Sequence, residues 1–346
     1  MRLPLYALAL VCGSFVSCSS EQRSPTETPP VKPVADVAVD LAISGSTPLF
    51  SSRANAINDS GVVVGSAAIN AGEVSRAVVW RPPGYGFEFL PDQNAEGGSS
   101  ANAVGRDGII AGQIGCGEGA VSCTPVYWRA GVLHVLDGVG QVNSVCPCDS
   151  HTLVGQVVID GALHGALWID DVLIDVGTPT GFGDVQLVSV AHGFIVGDAY
   201  GDTTTDRQFA TPFRWSPSSG WTRMANIVQG QGSTFVADVN ASGTAAGLAT
   251  VPALWLNGSN SPTAIPNYEP EENNYSADAI NDSSVVAGTF RGGGHPFPSP
   301  GIWTQANGWR PVGGQMYSVV KDINNSNQVV GFDLGGPAPV ALLWEP

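Results

Sequence analysis

Two sequence markers recur seven times along this chain, and their spacing constrains the fold more than any other feature. The first is a small apolar stretch, a turn and an apolar run that ends in glycine. It is clear at 54–65, 101–112, 237–247, 277–288 and 321–331, and weaker copies end at Gly155 and Gly197. The second is a short apolar run that ends in tryptophan, at Trp80, Trp128, Trp168, Trp215, Trp255, Trp303 and Trp344. Repeats of about 44 residues that carry only strand signals are typical of β-propeller blades.

Each repeat has the signals of four strands. In the first copy the turn at 58–61 reads Asn-Asp-Ser-Gly, which favours a hairpin because asparagine bonds nearby backbone and glycine accepts a left-handed conformation. The run at 62–64 is all valine and does not alternate with polar residues, as expected of a strand covered on both faces. After each tryptophan come a second turn and a fourth strand, such as 87–90. The sequence therefore predicts an all-β chain built of four-stranded antiparallel blades.

The two ends of the repeat region complement each other. The seventh copy stops shortly after Trp344 and lacks a fourth strand, whereas residues 36–43 precede the first copy and resemble one. We expect them to complete the last blade and remove an open sheet edge. Residues 36–346 are thus predicted to be one seven-bladed β-propeller, closed by its N-terminal strand.

The N-terminus has the pattern of a bacterial export signal. A basic residue and an apolar stretch lead to Phe-Val-Ser-Cys at 15–18, which resembles a lipobox. We expect residues 1–17 to be a lipoprotein signal peptide, Cys18 to be lipidated, and the Pro- and Ser-rich residues 18–35 to form a flexible tether. This indicates an outer-membrane lipoprotein of the bacterial envelope. Ordinary cleavage and secretion is the alternative.

Charge restricts the partners. The formal net charge is −16, and only 13% of residues are charged. Such a surface repels phosphate, so nucleic-acid binding is excluded, and it repels anionic membranes, so membrane contact is expected only through the lipid anchor. We expect a monomer.

The repeat resembles a known family. The pattern Ala-Ile-Asn-Asp-x-Gly-x-Val-Val-Gly, followed by an apolar run into tryptophan, is similar to the bacterial extracellular HAF-repeat family over nearly all of the chain after the tether. The His-Ala-Phe tripeptide of that family is mostly replaced here, for example by Arg-Ala-Val at 76–78. The resemblance implies a surface or secreted location and no particular activity.

Candidate ligand-binding residues lie in the variable connections. The loops after the repeated glycine and between blades share one rim, which we call the long-loop rim, and those at 198–211 and 290–300 are expected to be long. Variable loops on a rigid scaffold commonly carry function. Acidic and aromatic residues there suit a protein or glycan ligand. They are Asp198, Tyr200, Asp202, Asp206, Glu271, Glu272, Tyr275 and Tyr317. A carbohydrate- or ester-active enzyme using these carboxylates is one alternative, and an envelope scaffold is a second.

A second candidate set faces the propeller axis. The residue two places before the Ile or Val of each first strand is polar in five copies: Asn55, Asn102, Asn143, Asp278 and Lys321. These side chains either bind a ligand in a polar channel or satisfy inner strand edges and channel water.

Cysteine and motif content bear on chemistry. Cys116 and Cys123 are expected to form a local disulfide, and Cys146 and Cys148 are either a disulfide or free thiols. No catalytic motif is present, so no catalytic residue is assigned and enzyme activity is left open. We expect no metal site and no cofactor. Ca²⁺ at the turns near Asp238 and Asp322 is the low-ranking alternative.

Overall fold

A computed structural model gives the structure of the protein. It describes the residues in the ranges 38–42, 48–93, 97–116, 123–148, 151–201, 210–227, 234–266, 276–292, 295–313 and 317–345, with backbone only at 290–298. Residues Val34–Pro346 form one compact unit. The described residues form strands and turns, and they include no helix long and apolar enough to cross a membrane.

The described residues contain 28 strands. The first is β1 (Ala38–Asp40). Blade 1 contains β2 (Ser51–Ile57), β3 (Val63–Ala68), β4 (Arg76–Arg81) and β5 (Gly86–Phe89). Blade 2 contains β6 (Ser99–Val104), β7 (Ile110–Ile114), β8 (Thr124–Arg129) and β9 (Val132–Val135). Blade 3 contains β10 (Gly140–Val145), β11 (Thr152–Ile159), β12 (Ala162–Ile169) and β13 (Val172–Gly177). Blade 4 contains β14 (Asp184–Ala191), β15 (Phe194–Tyr200), β16 (Thr211–Ser216) and β17 (Gly220–Arg223).

The remaining strands repeat this order. Blade 5 contains β18 (Thr234–Val239), β19 (Ala245–Ala249), β20 (Val251–Trp255) and β21 (Thr263–Ala264). Blade 6 contains β22 (Ala279–Ile280), β23 (Val286–Gly292), β24 (His295–Thr304) and β25 (Gly308–Pro311). Blade 7 contains β26 (Ser318–Ile323), β27 (Val329–Asp333) and β28 (Val340–Trp344), and β1 is its outer strand.

The predicted fold is confirmed. There are seven sheets of four antiparallel strands, and the chain forms a seven-bladed β-propeller. Blade 7 has the order β1-β28-β27-β26, in which Ala38 pairs with Trp344 and Asp40 pairs with Leu342. The N-terminal strand therefore closes the ring, as its resemblance to a missing fourth strand predicts.

The unbroken apolar runs pack against both neighbouring blades. In β3, Val63 belongs to a cluster that includes Val330 and Leu343 of blade 7. The next residue, Val64, belongs to a cluster that includes Ala101 of blade 2. Burying one such side chain contributes about 1.5–3 kcal/mol. A polar residue at either position would meet a neighbouring sheet, which explains why the run does not alternate.

The repeated tryptophan also binds the preceding blade. Its indole N–H donates to the backbone carbonyl one or two residues after that blade's outer strand. These bonds join Trp80 to Leu41 (3.0 Å), Trp128 to Pro91 (2.7 Å), Trp168 to Asp137 (3.1 Å) and Trp255 to Ala225 (3.0 Å). In blade 7, the buried Trp344 Nε1 has no hydrogen-bond partner within the described part of the chain.

A β-bulge in the first strand explains the repeated glycine. In blade 1, Ala54 pairs with Gly65 and Ala56 pairs with Val64, so Asn55 is the extra residue. The bulge brings the Arg53 carbonyl so close to Gly65 that a Cβ there would overlap it. Six first strands have the same register shift, at Asn55, Asn102, Asn143, Val188, Ala237 and Lys321.

Two loop boundaries differ from the sequence expectation. The loop expected to begin at Asp198 begins after Tyr200, because β15 stays paired with β14 as far as Tyr200. Residues 290–300, expected to be a long loop, are mostly strand, because the pairing of β23 with β24 continues to Gly292 and His295. The observed β1 is also shorter than the predicted 36–43, and residues 36, 37 and 43 are outside the described ranges.

Candidate functional site

The first strands of the blades surround an axial channel with two cavities. One, of about 210 Å³, opens at the rim that carries the turns between first and second strands, which we call the hairpin rim. The other, of about 560 Å³, lies toward the long-loop rim and is lined by residues of blades 4 to 7. Asp278 and Lys321 line both cavities and thus mark the middle of the channel.

Three of the predicted channel residues tie neighbouring blades together. The Nδ2 atoms of Asn55, Asn102 and Asn143 line the channel wall and donate to backbone carbonyls of the next blade. The acceptors are Ala101 (3.0 Å), Val142 (2.8 Å) and Leu187 (2.8 Å) respectively. The bulge turns each side chain toward the equivalent position of the next blade. These amides therefore satisfy backbone acceptors at three successive interfaces, from blade 1 to blade 2, from blade 2 to blade 3 and from blade 3 to blade 4.

The other two predicted channel residues carry opposite charges in adjacent blades. The Asp278 carboxylate accepts a hydrogen bond from Ser276 Oγ. Desolvation raises the pKa of Asp278 to about 6, while Ser276 and the positive charge of Lys321 oppose the rise. The Lys321 side chain is exposed to the channel. Within the described ranges it makes no hydrogen bond, and no carboxylate lies within 4 Å of its ammonium group.

Two further carboxylates line the channel near the hairpin rim, although the sequence pattern places them at turns. Asp322 accepts backbone N–H groups of Ile57 (2.8 Å) and Ile323 (2.7 Å). Asp238 accepts Ser189 Oγ (2.6 Å) and the N–H groups of Val239 (2.8 Å) and Ile280 (2.9 Å). Desolvation is the main cause that raises the pKa of Asp322 to about 8 and that of Asp238 to about 6.

Alignment of the seven repeat copies could have identified these two carboxylates as unusual. They occupy the position directly after the bulge, which is alanine or serine in the other five copies. Their oxygens bond backbone groups and a hydroxyl, so they act as links between blades. Among the described residues, no group of three His, Cys, Asp or Glu side chains is arranged to hold a metal ion.

Asparagine at the start of the hairpin turn has two functions. Asn281 Oδ1 accepts the N–H groups of Ser283 and Val285, which caps its own turn. Its Nδ2 donates to the carbonyl of Asn324 in the next blade, at 3.1 Å. Equivalent blade-to-blade bonds run from Asn58 to Gly105, from Asn240 to Asn281 and from Asn324 to Asn58.

The long-loop cavity contains Asp198 and Tyr200, two of the predicted ligand-binding residues. Asp198 is only 3% exposed, and its Oδ1 accepts the Val236 N–H at 3.0 Å. Desolvation raises the pKa of Asp198 to about 8, so the carboxyl is mostly protonated at pH 7. The Tyr200 hydroxyl accepts Gln186 Nε2 at 2.8 Å, and desolvation followed by the charge of Asp198 raises its pKa. Thr234 completes the polar lining.

The other predicted ligand-binding residues are elsewhere. Tyr317 is 45% exposed, precedes β26 on the long-loop rim and is not among the described residues that line the cavity. The remaining ones, together with the lipidation residue, lie outside the described residues: Asp202, Asp206, Glu271, Glu272, Tyr275 and Cys18.

Both cysteine pairs form disulfides, at opposite rims. Cys116 and Cys123 are joined beside the connection between β7 and β8, with Cα atoms 5.4 Å apart. Cys146 and Cys148 are joined in the hairpin turn of blade 3, with Cα atoms 5.2 Å apart. Cys146 occupies the place that the capping asparagine has in other blades, so the second disulfide fixes a turn that lacks this cap.

No protein-family model matches the chain, and a comparison with curated protein sequences finds no match. Solved structures do resemble it. The β-propeller domain of the Trilobed protease from Pyrococcus furiosus aligns with a TM-score of 0.58 and 13% identity, over 85% of this chain and 95% of that one. That domain is described as having an open velcro topology, whereas here β1 pairs with β28.

Two further structures are similar to this chain. Pyrococcus horikoshii acylaminoacyl peptidase aligns with a TM-score of 0.57 and 11% identity, over 86% of this chain and 51% of that one. The extracellular domain of a one-component system from B. thetaiotaomicron aligns with a TM-score of 0.53 and 9% identity, over 88% of this chain and 39% of that one. This chain thus spans about half or less of those two proteins. At such identities, the comparisons establish one conclusion, that the chain has a β-propeller fold.

Proposed function

We propose that the protein is a binding module of the bacterial cell surface that takes up part of a protein or glycan ligand at the long-loop rim. The observation that carries this proposal is the cavity in which Gln186, Asp198, Tyr200 and Thr234 meet the channel residues Asp278 and Lys321. A concave site with a few convergent polar groups on a rigid scaffold is the usual form of a ligand site.

The lining suits a polar ligand with an apolar face. Amide, hydroxyl and carboxyl groups offer donors and acceptors for hydroxyl or peptide groups. The same cavity has an apolar wall that is formed by Phe235, Val319 and Val320. Aromatic side chains commonly combine packing with polar contacts at such surfaces.

Binding to glycan and peptide arrays tests the proposal. We expect the full chain to select a restricted set of probes. Tyr200→Phe and Gln186→Leu should each weaken that binding at least tenfold, because both remove polar groups from the cavity. Arg106→Gln, at the hairpin rim, is the matched control and should bind as the parent does. Parent protein that binds no probe would refute the proposal and favour a scaffold function.

An enzyme active on glycosidic or ester bonds is the second candidate. Its support is the raised pKa of Asp198, since a carboxyl that holds its proton at pH 7 is suited to general acid catalysis. Chromogenic glycoside and ester substrates test this candidate. Hydrolysis that Asp198→Asn abolishes would support it, and equal hydrolysis by parent and variant would exclude Asp198 as the acid.

We also propose that lipid on Cys18 anchors the propeller to the envelope, in keeping with the resemblance to extracellular HAF-repeat proteins. The support is the export pattern at 1–18. Cys18→Ser should move the protein from the membrane fraction to the soluble fraction of cells. Serine at position 19 should tolerate alanine without this change, and a Cys18→Ser protein that stays in membranes would contradict the proposal.

A further inference from the structure

Lys321 occupies a special place in both sequence and structure. The chain has only two lysines, and the other, Lys32, precedes the propeller. Lys321 is the bulge residue of β26 and projects into the channel where the two cavities meet. Among the described residues that line the long-loop cavity, it provides the one positive charge.

The surroundings leave this ammonium group available. Within the described ranges it makes no hydrogen bond and no ion pair below 4 Å, although the carboxylate of Asp278 in the adjacent blade attracts it. Asp278 is placed at the equivalent position of blade 6. The two charges therefore face one cavity from adjacent blades with a gap between them.

We propose that Lys321 and Asp278 bind a zwitterionic ligand of the amino acid class, with its carboxylate on Lys321 and its ammonium group on Asp278. This inference rests on the proposed function, because it uses the same binding cavity, and it adds a small ligand to the protein or glycan proposed there.

Charge complementarity favours a zwitterion over a simple ion. A simple anion would be attracted by Lys321 but repelled by Asp278 and by a protein of net charge −16. A simple cation would be attracted by Asp278 but repelled by Lys321. A molecule with both groups pairs each charge and has no net charge for the overall field to repel.

The cavity wall indicates where the rest of such a ligand would lie. Val319 and Val320 come directly before Lys321 in β26, and Phe235 lines the same cavity from blade 5. An apolar side chain would find apolar surface there. Tyr200 and Gln186 then offer hydrogen bonds to further polar groups.

Calorimetric titration of the full chain with three related compounds tests the charge requirement. L-phenylalanine has both charges, N-acetyl-L-phenylalanine has only the negative one, and 2-phenylethylamine has only the positive one. At pH 7.5 we expect L-phenylalanine to bind at least tenfold more tightly than either derivative. Equal binding of all three compounds, tighter binding of a derivative, or no binding of L-phenylalanine would overturn the inference.

Substitutions assign the two charges. Lys321→Met should weaken binding of L-phenylalanine at least tenfold, and Asp278→Asn should do the same. Arg106→Gln again serves as the control, because Arg106 lies at the hairpin rim and should not affect binding. Unchanged affinity in folded Lys321→Met protein would refute the assignment.

Chemical protection gives a readout that needs no variant. Sulfosuccinimidyl acetate acetylates exposed lysines, and mass spectrometry separates the Lys321 and Lys32 peptides. L-phenylalanine should slow acetylation of Lys321 at least threefold and leave the rate at Lys32 unchanged. Equal rates at Lys321 with and without the ligand would contradict the inference.

The array experiment separates this inference from the proposed function. If array ligands bind the parent protein but L-phenylalanine does not, the binding function stands and the zwitterion assignment fails. If the parent protein binds no array probe and none of the three phenylalanine compounds, both fail together.

Discussion

The indole nitrogen of Trp80 donates a hydrogen bond to the carbonyl oxygen of Leu41 at 3.0 Å, and both residues are buried. Leu41 follows the closing strand β1, whereas Trp80 is the last residue but one of the third strand of blade 1. The same tryptophan bond that joins other neighbouring blades therefore also joins the first blade to the last. In this way the closure of the ring uses a contact that the repeat already provides.

Removing this indole N–H should destabilise the closure. We expect Trp80→Phe to lower the free energy of unfolding by about 0.5–1.5 kcal/mol more than Trp344→Phe, because it removes a buried hydrogen bond to the Leu41 carbonyl. Both substitutions replace a fully buried indole with a smaller phenyl ring, but Trp344 Nε1 has no partner in the described part of the chain. Urea unfolding followed by fluorescence measures both. Equal losses would show that the bond adds nothing to the packing.

Asn281 should be among the most sensitive polar residues of the ring. Asn281→Ala removes the cap of its turn and the bond to the Asn324 carbonyl, so we expect a loss of about 2–4 kcal/mol. Asn307→Ala, in an exposed turn, is the control and should change stability by less than about 0.5 kcal/mol. Chemical denaturation measures both variants, and a loss below 1 kcal/mol for Asn281→Ala would contradict the assigned function.

Stability should fall as pH rises. The pKa of Asp198 is raised to about 8 in the folded protein, so between pH 4 and 8 the folded state holds a proton that the unfolded state has lost. One such proton gives a slope of up to about 1.4 kcal/mol per pH unit, with higher stability at the acidic end. Asp198→Asn should reduce the slope measured by thermal unfolding from pH 4 to pH 8 by that amount. A decline remains in the variant, because the pKa values of Asp322, Asp238 and Asp278 are also raised.

Glu73 is the control for this pH experiment. Its pKa is lowered chiefly by a side-chain hydrogen bond from Asn70, so any stability it contributes is lost as pH falls. Glu73→Gln should therefore leave the decline between pH 4 and 8 in place. A slope that Asp198→Asn does not change would show that the Asp198 carboxyl is ionised in the folded protein at neutral pH.

The two disulfides should contribute unequally. Replacing Cys116 and Cys123 with alanine should cost about 2–3 kcal/mol, because their bond closes the longer loop. Replacing Cys146 and Cys148 with alanine should cost less, about 1–2 kcal/mol, since only one residue separates them. Unfolding without reductant measures both double variants, and the reverse order would indicate that the turn of blade 3 depends on its disulfide for more than chain entropy.

The sequence predicts the blades well because each local signal is present in several copies. Three repeated residues have causes within the blade or at its neighbour. They are the asparagine of the hairpin turn, the glycine within the second strand and the tryptophan of the third strand. Gly65, for example, must lack a side chain because the Arg53 carbonyl occupies that space. Averaging over seven copies makes such requirements visible in a single sequence.

The channel and its cavities are harder to predict. The bulge is a register shift between two strands, and a run such as 54–57 looks like an ordinary strand when its partner is unknown. Asp238 and Asp322 therefore read as turn residues although they project toward the axis. The cavity near Asp198 combines residues of four blades, and their approach depends on the geometry of the closed ring.

The pairing of Ala38 with Trp344 also affects how the chain can acquire its structure. These partners are about 300 positions apart, which makes their contact among the slowest to form in a folding chain. Until residues near the C-terminus have been synthesised, the first segment has no strand to join and β27 presents an unprotected edge. Until its last blade has been synthesised the chain is therefore expected to depend on holding factors, and loss of even the last few residues should make it prone to aggregation.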